Sequence, residues 1–247
     1  MNYLHTLNNY IITLVYRYCE PFAVIRLLIR MQLTSIVREY SIVGSILDIG
    51  CGNKPYKHLF VDISQYDGID FCEYAKYGRY QSAGPDYFFS DLYAVTGILP
   101  FPSFSFNNIV CFQVLEHHPD PSTLVREAIR VCRSEGFIIF TCPFLSSIHD
   151  GPRDYQRFTR FGLSSLFQNH DLDHVHIYEN GGIATSLTLL LNETWSFYYN
   201  IGSWKSRTAL LLTYPLLLLI SYLGLILDIN FPSSNTCPNY TVIARKI

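Results

Sequence analysis

From Ser45 onward the apolar residues fall into short runs at even intervals: SILDI from Ser45, YDGI from Tyr66, YFF from Tyr87, NIVCF from Asn108 and GFIIFTC from Gly136. Runs of this length, bounded by turn residues and separated by helical stretches, predict parallel strands joined by crossovers. The clearest crossover is DPSTLVREAIRVC. Asp120 suits the N-cap, Pro121 the first turn, and Leu124, Val125, Ala128, Ile129, Val131 and Cys132 share one face. TRFGLSSLFQNH predicts a second helix, with Thr159 as its cap and Leu163, Leu166 and Phe167 turned inward. HVHIY from His174 and YTVIARK from Tyr240 predict two further strands, so the chain reads as α/β.

Two stretches carry a different pattern. In residues 1–40, Ile11, Ile12, Val15 and Tyr16, then Val24, Leu27, Leu28 and Met31, recur at helical spacing among Arg17, Arg26, Arg30 and Arg38. Pro21 divides them into two helices, expected to form an N-terminal cap on the remaining domain, 41–247. Residues 183–239, before the last strand, are an apolar insertion, and Thr208 to Leu227 has no charge at all. At about 1.5 Å per residue that segment is nearly long enough to span a bilayer. A final strand at Tyr240 requires the chain to return to the side it left, and Asn192 and Glu193 interrupt the preceding half. The expectation is therefore two helices lying in a membrane interface through 183–229, or a greasy hood, in preference to a transmembrane hairpin. Pro215 is expected to kink the second helix, and Lys205 and Arg207 suit anionic head groups.

With 247 residues the chain can bury one sizeable core. A formal net charge of −2 offers no footprint for nucleic acid. The apolar share of 49%, with 19 tyrosines and 17 phenylalanines, suits greasy surfaces as well as a core. Seven cysteines stand singly without a C-x-x-C pair, and no secretory leader is recognisable. That combination points to a reduced, cytoplasmic setting, peripheral on a membrane face. His174 and His176 share a strand face without a third ligand at metal-site spacing, so no metal is expected.

The candidate chemistry starts at SILDIGCGNKPY, where a strand ends in Gly50 and Gly52. In a doubly wound sheet the ligand lies beyond the carboxyl ends of the strands, and such glycines let bare backbone approach it. Asp70, closing YDGID, can receive ribose hydroxyls. Pro55 stands where the dinucleotide fingerprint would need a third glycine.

Taken together, LDIGCGNKPY, GID, SDLYAVTGILPFPSFSFNNIVCFQVLEHHPDP and GFIIFTCPF, spanning Ser45 to Pro143, resemble the class I S-adenosylmethionine-dependent methyltransferases. HDGPRDYQRFTRFGLSSLF is similar to a subgroup carrying H-D/E-x-P-x-D-Y-x-R-[YF]-T-x-x-G-L after the fifth strand. The resemblance implies a Rossmann-like seven-stranded sheet, mostly parallel with an antiparallel last strand set beside the fifth and sixth. It implies S-adenosyl-L-methionine as cofactor, with Asp48, Gly50, Cys51 and Gly52 in the first motif and Asp70 on the ribose. Asp91 would receive the adenine amino group, Leu92 would pack beside it, and Gln113 would line the methyl-transfer site. Two departures are Ser134-Glu135-Gly136-Phe137 in place of Pro-Gly-Gly, and a short first crossover around Lys54 to Phe60.

The expected reaction is methyl transfer to a hydroxyl, or another nucleophile, of a small-molecule acceptor that is lipid-linked or membrane-associated. His149 is the candidate base, with Asp154 and Arg157 holding the loop or the acceptor; a polar clasp is the other role open to His149. Asp48 can equally brace the glycine turn through backbone hydrogen bonds. Cys51 reads as a small filler, Glu116 and His117 as structural at the strand-to-helix turn, and His118 as solvated. Two alternatives are an NAD(P)-dependent oxidoreductase on the same sheet and a non-catalytic membrane-associated binding module.

Overall fold

A computed structural model of the chain describes residues 22–71, 84–89, 97–168, 171–233 and 235–247. The first expected helix, Pro21, Asp91 and Leu92 lie outside the described residues. The chain divides into two compact units. A sheet unit holds 30–144, 148–178 and 240–247, and a helical unit holds described residues 22–29, 145–147 and 179–239.

The strands are β1 (Gly44–Ile49), β2 (Ile63–Phe71), β3 (Tyr87–Phe89), β4 (Asn108–Phe112), β5 (Phe137–Pro143), β6 (Leu172–Asn180) and β7 (Asn239–Lys246). They form one sheet in the order β3-β2-β1-β4-β5-β7-β6. The pairs β1–β2, β1–β4, β2–β3 and β4–β5 are parallel. The last strand runs the other way. Lys246, at its end, exchanges backbone hydrogen bonds with Glu135 and Gly136 before β5, and Ile247 donates to Asp171 before β6. Strands that start at the core and are covered on both faces read as continuous apolar runs. Ile46, Leu47, Ile49, Ile109, Val110, Cys111, Ile138, Ile139 and Phe140 are accordingly all buried.

The helices are α1 (Ala23–Glu39), α2 (Pro121–Val131), α3 (Arg160–Gln168), α4 (Ile183–Ile201) and α5 (Trp204–Asn230). Asp120 caps α2 by accepting the Thr123 N–H at 3.2 Å, and the expected apolar face of α2 is buried. Thr159 Oγ1 accepts the Gly162 N–H at 3.1 Å at the start of α3, where Leu163 and Phe167 are buried and Leu166 is half-buried. The first crossover is a single 3₁₀ turn, Lys57–Leu59.

In the helical unit α4 and α5 form an antiparallel hairpin held by buried polar side chains. Asp228 on α5 accepts the N–H groups of Gly182, Ala184 and Thr185 and the Thr185 hydroxyl, at 2.6–3.1 Å. A helix start leaves several N–H groups without partners, and here a carboxylate of the other helix supplies them. Further along, Asn192 Nδ2 donates to Ser221 Oγ at 2.9 Å, and the Trp195 indole donates to the Leu210 carbonyl at 3.1 Å. Glu193 accepts from the hydroxyls of Ser146 and Ser147 and from the Ser147 N–H. Asn192 and Glu193, which break the apolar pattern in the sequence, are thus fasteners. α5 runs through Pro215 without a break in its helical assignment. Among the described residues one segment, Leu210–Asn230, is long and apolar enough to cross a bilayer, with mean hydropathy 2.3 and only 17% of it buried.

Candidate active site

The turn after β1 is shaped by conformation and space. Gly50 has φ +70°, and a Cβ there would come within 2.2 Å of the Val114 side chain. Gly52 has φ +49° and nothing within 4 Å of where a Cβ would be. The first glycine is needed for packing, while the second borders open space where a ligand can meet backbone. The Gly52 N–H donates to Asp70 Oδ2 at 2.7 Å, and the Phe71 N–H donates to Oδ1 at 2.7 Å. Asp70 is buried at the tip of β2, so the glycine turn and this carboxylate are brought together as the sequence implied.

Asp48 is buried behind that turn. Tyr66 donates its hydroxyl proton to Oδ2 at 2.7 Å, while Oδ1 has no hydrogen-bond partner. Burial pushes the Asp48 carboxyl up to about 7, against the opposing pull of the Tyr66 hydrogen bond. Its partner is thus a tyrosine hydroxyl in place of the backbone brace. Cys51 is buried, its thiol pushed up by burial, which suits a filler. Gln113 follows β4 at φ +57°, its Nε2 donating to Thr141 Oγ1 at 3.0 Å. A glutamine in the left-handed region costs backbone energy, a feature concentrated at functional sites.

Beyond Gln113, a 3₁₀ turn, Leu115–His117, carries a cluster that the sequence did not single out. Glu116 is 0% exposed, and neither of its carboxylate oxygens has a hydrogen-bond partner. Burial pushes its carboxyl up to about 8. His117 Nε2 lies 3.7 Å and His149 Nε2 4.0 Å from Glu116 Oε1, and the two imidazoles stack edge to face at 4.8 Å. Glu116 holds the turn through its backbone carbonyl, which accepts the Tyr155 N–H, while its side-chain oxygens have no hydrogen-bond partner. A fully buried carboxyl is cheap to hold only with partners, and this one keeps both oxygens open. His118 is half-buried and accepts the Asp120 N–H at 3.1 Å, so it is less solvated than expected. The signal for the cluster was invisible because His149 lies beyond β5, far from Glu116 in the chain.

The loop after β5 is pinned onto this turn. His117 Nδ1 donates to the Arg153 carbonyl at 2.8 Å, Tyr155 N–H to the Glu116 carbonyl at 3.0 Å, and Gln156 Nε2 to the His118 carbonyl at 2.9 Å. The Arg153 guanidinium lies over the Phe71 ring at 5.2 Å, so the same loop reaches the tip of β2 beside Asp70. Asp154 accepts the His149 N–H at 2.9 Å and takes both terminal nitrogens of Arg157. The Arg157 hydrogen bonds hold the Asp154 carboxyl down to about 2. His149 Nδ1 faces this pair, 3.7 Å from Asp154 Oδ2 and 3.4 Å from Arg157.

Residues 47–140 match the family model described as a methyltransferase domain. Residues 47–140 thus carry a methyltransferase domain. Solved structures agree at the level of fold. A candidate methyltransferase from Bacillus halodurans is similar over 87% of this chain and 99% of its own, with 13% identity and a TM-score of 0.51. A candidate sarcosine dimethylglycine methyltransferase from Galdieria sulphuraria is similar over 88% and 84%, with 14% identity and a TM-score of 0.55. Phosphoethanolamine N-methyltransferase 2 from Haemonchus contortus, solved with S-adenosyl-L-methionine, is similar over 87% of this chain and 52% of its own, with 12% identity and a TM-score of 0.51. No curated protein matches. The methyltransferase domain accounts for the Asp70 carboxylate, the open Gly52 turn and the partnerless Asp48 Oδ1, which together fit an amino-acid nucleoside.

Proposed function

We propose that this methyltransferase acts on a hydroxyl of a small acceptor carried in or on a membrane, with His149 taking the hydroxyl proton. The observation that supports the reading is the loop after β5, which bonds the Glu116 carbonyl through Tyr155, lays Arg153 over Phe71 next to Asp70 in the chain, and carries His149 to 4.0 Å from Glu116. When bound, S-adenosylmethionine supplies a methyl group already activated on a sulfonium, so the protein has mainly to hold and orient. Asp48, Gly50, Cys51, Gly52, Asp70 and Gln113 line the cofactor side, with Asp91 and Leu92 assigned there on the resemblance alone. Asp154 holds the His149 backbone N–H, Arg157 fixes Asp154, and the Arg157 guanidinium lies 3.4 Å from His149 Nδ1, so the pair positions the imidazole. A positioned base is worth about 10²–10⁴-fold in rate.

The membrane half of the proposal rests on the hairpin. Leu187, Leu191, Leu212, Leu216, Leu219, Leu223 and Ile226 are all exposed, in a unit whose polar groups are turned inward onto one another. An apolar face of this extent is a recognition surface for hydrocarbon, and Lys205 and Arg207 at the start of α5 add attraction to anionic head groups. A labelled-methyl assay with hydroxylated prenyl lipids or quinone precursors in vesicles tests the reading. Methylation of such a lipid, reduced about 10²-fold or more in His149→Ala with S-adenosylhomocysteine affinity retained, is the expected result. Equal turnover by His149→Ala removes the base, and a preparation that ignores vesicles removes the membrane acceptor.

A further inference from the structure

We infer that Glu116, His117 and His149 form a binding site for one divalent transition-metal cation of the zinc type, whose open position takes the oxygen of the acceptor. One donor atom from each residue lies within 4.8 Å of the others. Both imidazoles present Nε2 to the same carboxylate oxygen, at 3.7 and 4.0 Å. The Nδ1–H of His117 is committed to the Arg153 carbonyl at 2.8 Å, which leaves the Nε2 lone pair directed inward. That outer hydrogen bond is what ligating histidines characteristically have. Glu116 supplies the second, independent observation: it is fully buried, and neither oxygen has a partner. A cation is the partner that such a carboxylate lacks.

The spacing fits with a small closure. Metal bonds of about 2.0–2.2 Å at tetrahedral angles put ligand atoms roughly 3.3–3.6 Å apart. The carboxylate separations exceed that by about half an ångström and the widest donor separation, up to 4.8 Å, by about 1.2 Å, so binding requires the His149 ring, whose side chain is 42% exposed, to move inward. Two imidazoles and one carboxylate select zinc, cobalt or iron over magnesium or calcium, which prefer oxygen. Three protein ligands leave a position open. A hydroxyl bound there loses its proton to bulk water more readily, as zinc lowers bound water from about 15.7 to about 7. In the loaded protein His149 is then a ligand, and the charge of the cation does the work otherwise assigned to its lone pair. The inference rests on the proposed methyl transfer for the identity of the incoming oxygen, while the cation site stands on its own residues.

The test is titration of chelator-stripped full-length protein with cobalt chloride, followed by zinc chloride. One equivalent of Co²⁺ with a visible absorption band, displaced by Zn²⁺, is expected. His149→Ala and Glu116→Gln should each weaken Co²⁺ binding by about 100-fold or more. His149→Ala should bind S-adenosylhomocysteine as the wild type does, and it decides the matter if the buried Glu116→Gln fails to fold. Absence of saturable Co²⁺ and Zn²⁺ binding by the wild type, or equal binding by His149→Ala, overturns the site. A wild type that takes up Co²⁺ through these residues but not S-adenosylhomocysteine keeps the cation site and removes the methyl-transfer reading.

Discussion

In the helical unit the buried carboxylate of Asp228 accepts four hydrogen bonds, whereas in the sheet unit the buried carboxylate of Glu116 accepts none. The two units bury acids for opposite ends. Around Asp228 every oxygen is used to fasten α4 to α5, and the outward surface is left to leucines. Around Glu116 and Asp48 the fastening is done by backbone and loop, and carboxylate oxygens are left without a hydrogen-bond partner. One unit uses its buried acid as a fastener and leaves leucines exposed, while the other keeps buried carboxylate oxygens without a hydrogen-bond partner.

The comparison can be broken most forcefully at the glycine turn. Gly50→Ala should cost about 4 kcal/mol of stability, from left-handed strain plus overpacking on Val114, and abolish S-adenosylhomocysteine binding in calorimetry. Gly52→Ala, without the clash, should cost about 1 kcal/mol in denaturant unfolding yet still weaken the ligand, because its methyl enters the open side of the turn. Asp228→Ala should destabilise the helical unit by about 3 kcal/mol, with faster amide exchange at Ala184 and Thr185, and leave S-adenosylhomocysteine affinity unchanged. Asp70→Asn should act mainly on the ligand, roughly 30-fold weaker or about 2 kcal/mol, with about 1 kcal/mol of stability lost because one backbone N–H then faces an amide donor. Leu212→Asp, on the exposed face of α5, should lower partitioning into anionic vesicles by about 1.5 kcal/mol and leave unfolding alone.

A further effect is a slope. Asp48 releases its proton near 7 in the native protein and near the ordinary carboxylate value of about 4 when unfolded. Between those values the native state binds the extra proton, so stability falls as pH rises, by about 1.4 kcal/mol per pH unit. Asp48→Asn should flatten that part of the profile in pH-dependent denaturant unfolding. The Asp154 carboxyl, held down to about 2, acts at the opposite end: its stabilisation is present above about 4 and is lost as the solution is acidified toward 2.

The sheet was legible because β1, β4 and β5 are covered on both faces, so burial wrote itself into unbroken apolar runs at Ile46, Ile109 and Ile138. Gly50, Gly52 and Asp70 were legible for a related reason, since their spacing follows from the strand and turn that separate them. The Glu116 cluster was not, because nothing local distinguishes a glutamate that loses its water from one that keeps it; burial there depends on a loop arriving from beyond β5. Asn192 and Glu193 misled in the other direction. Their polarity looked like interruption until the partners Ser221, Ser146 and Ser147 were in place.

The carboxylate that completes the first turn of α4 belongs to Asp228, close to the end of α5. During synthesis the whole of α4 therefore emerges before its cap exists, and its amides near Gly182 must wait on water until the later helix has left the ribosome. The cap is thus the last of the hairpin's fasteners to be synthesised, after Trp195–Leu210 and Asn192–Ser221 have both partners available.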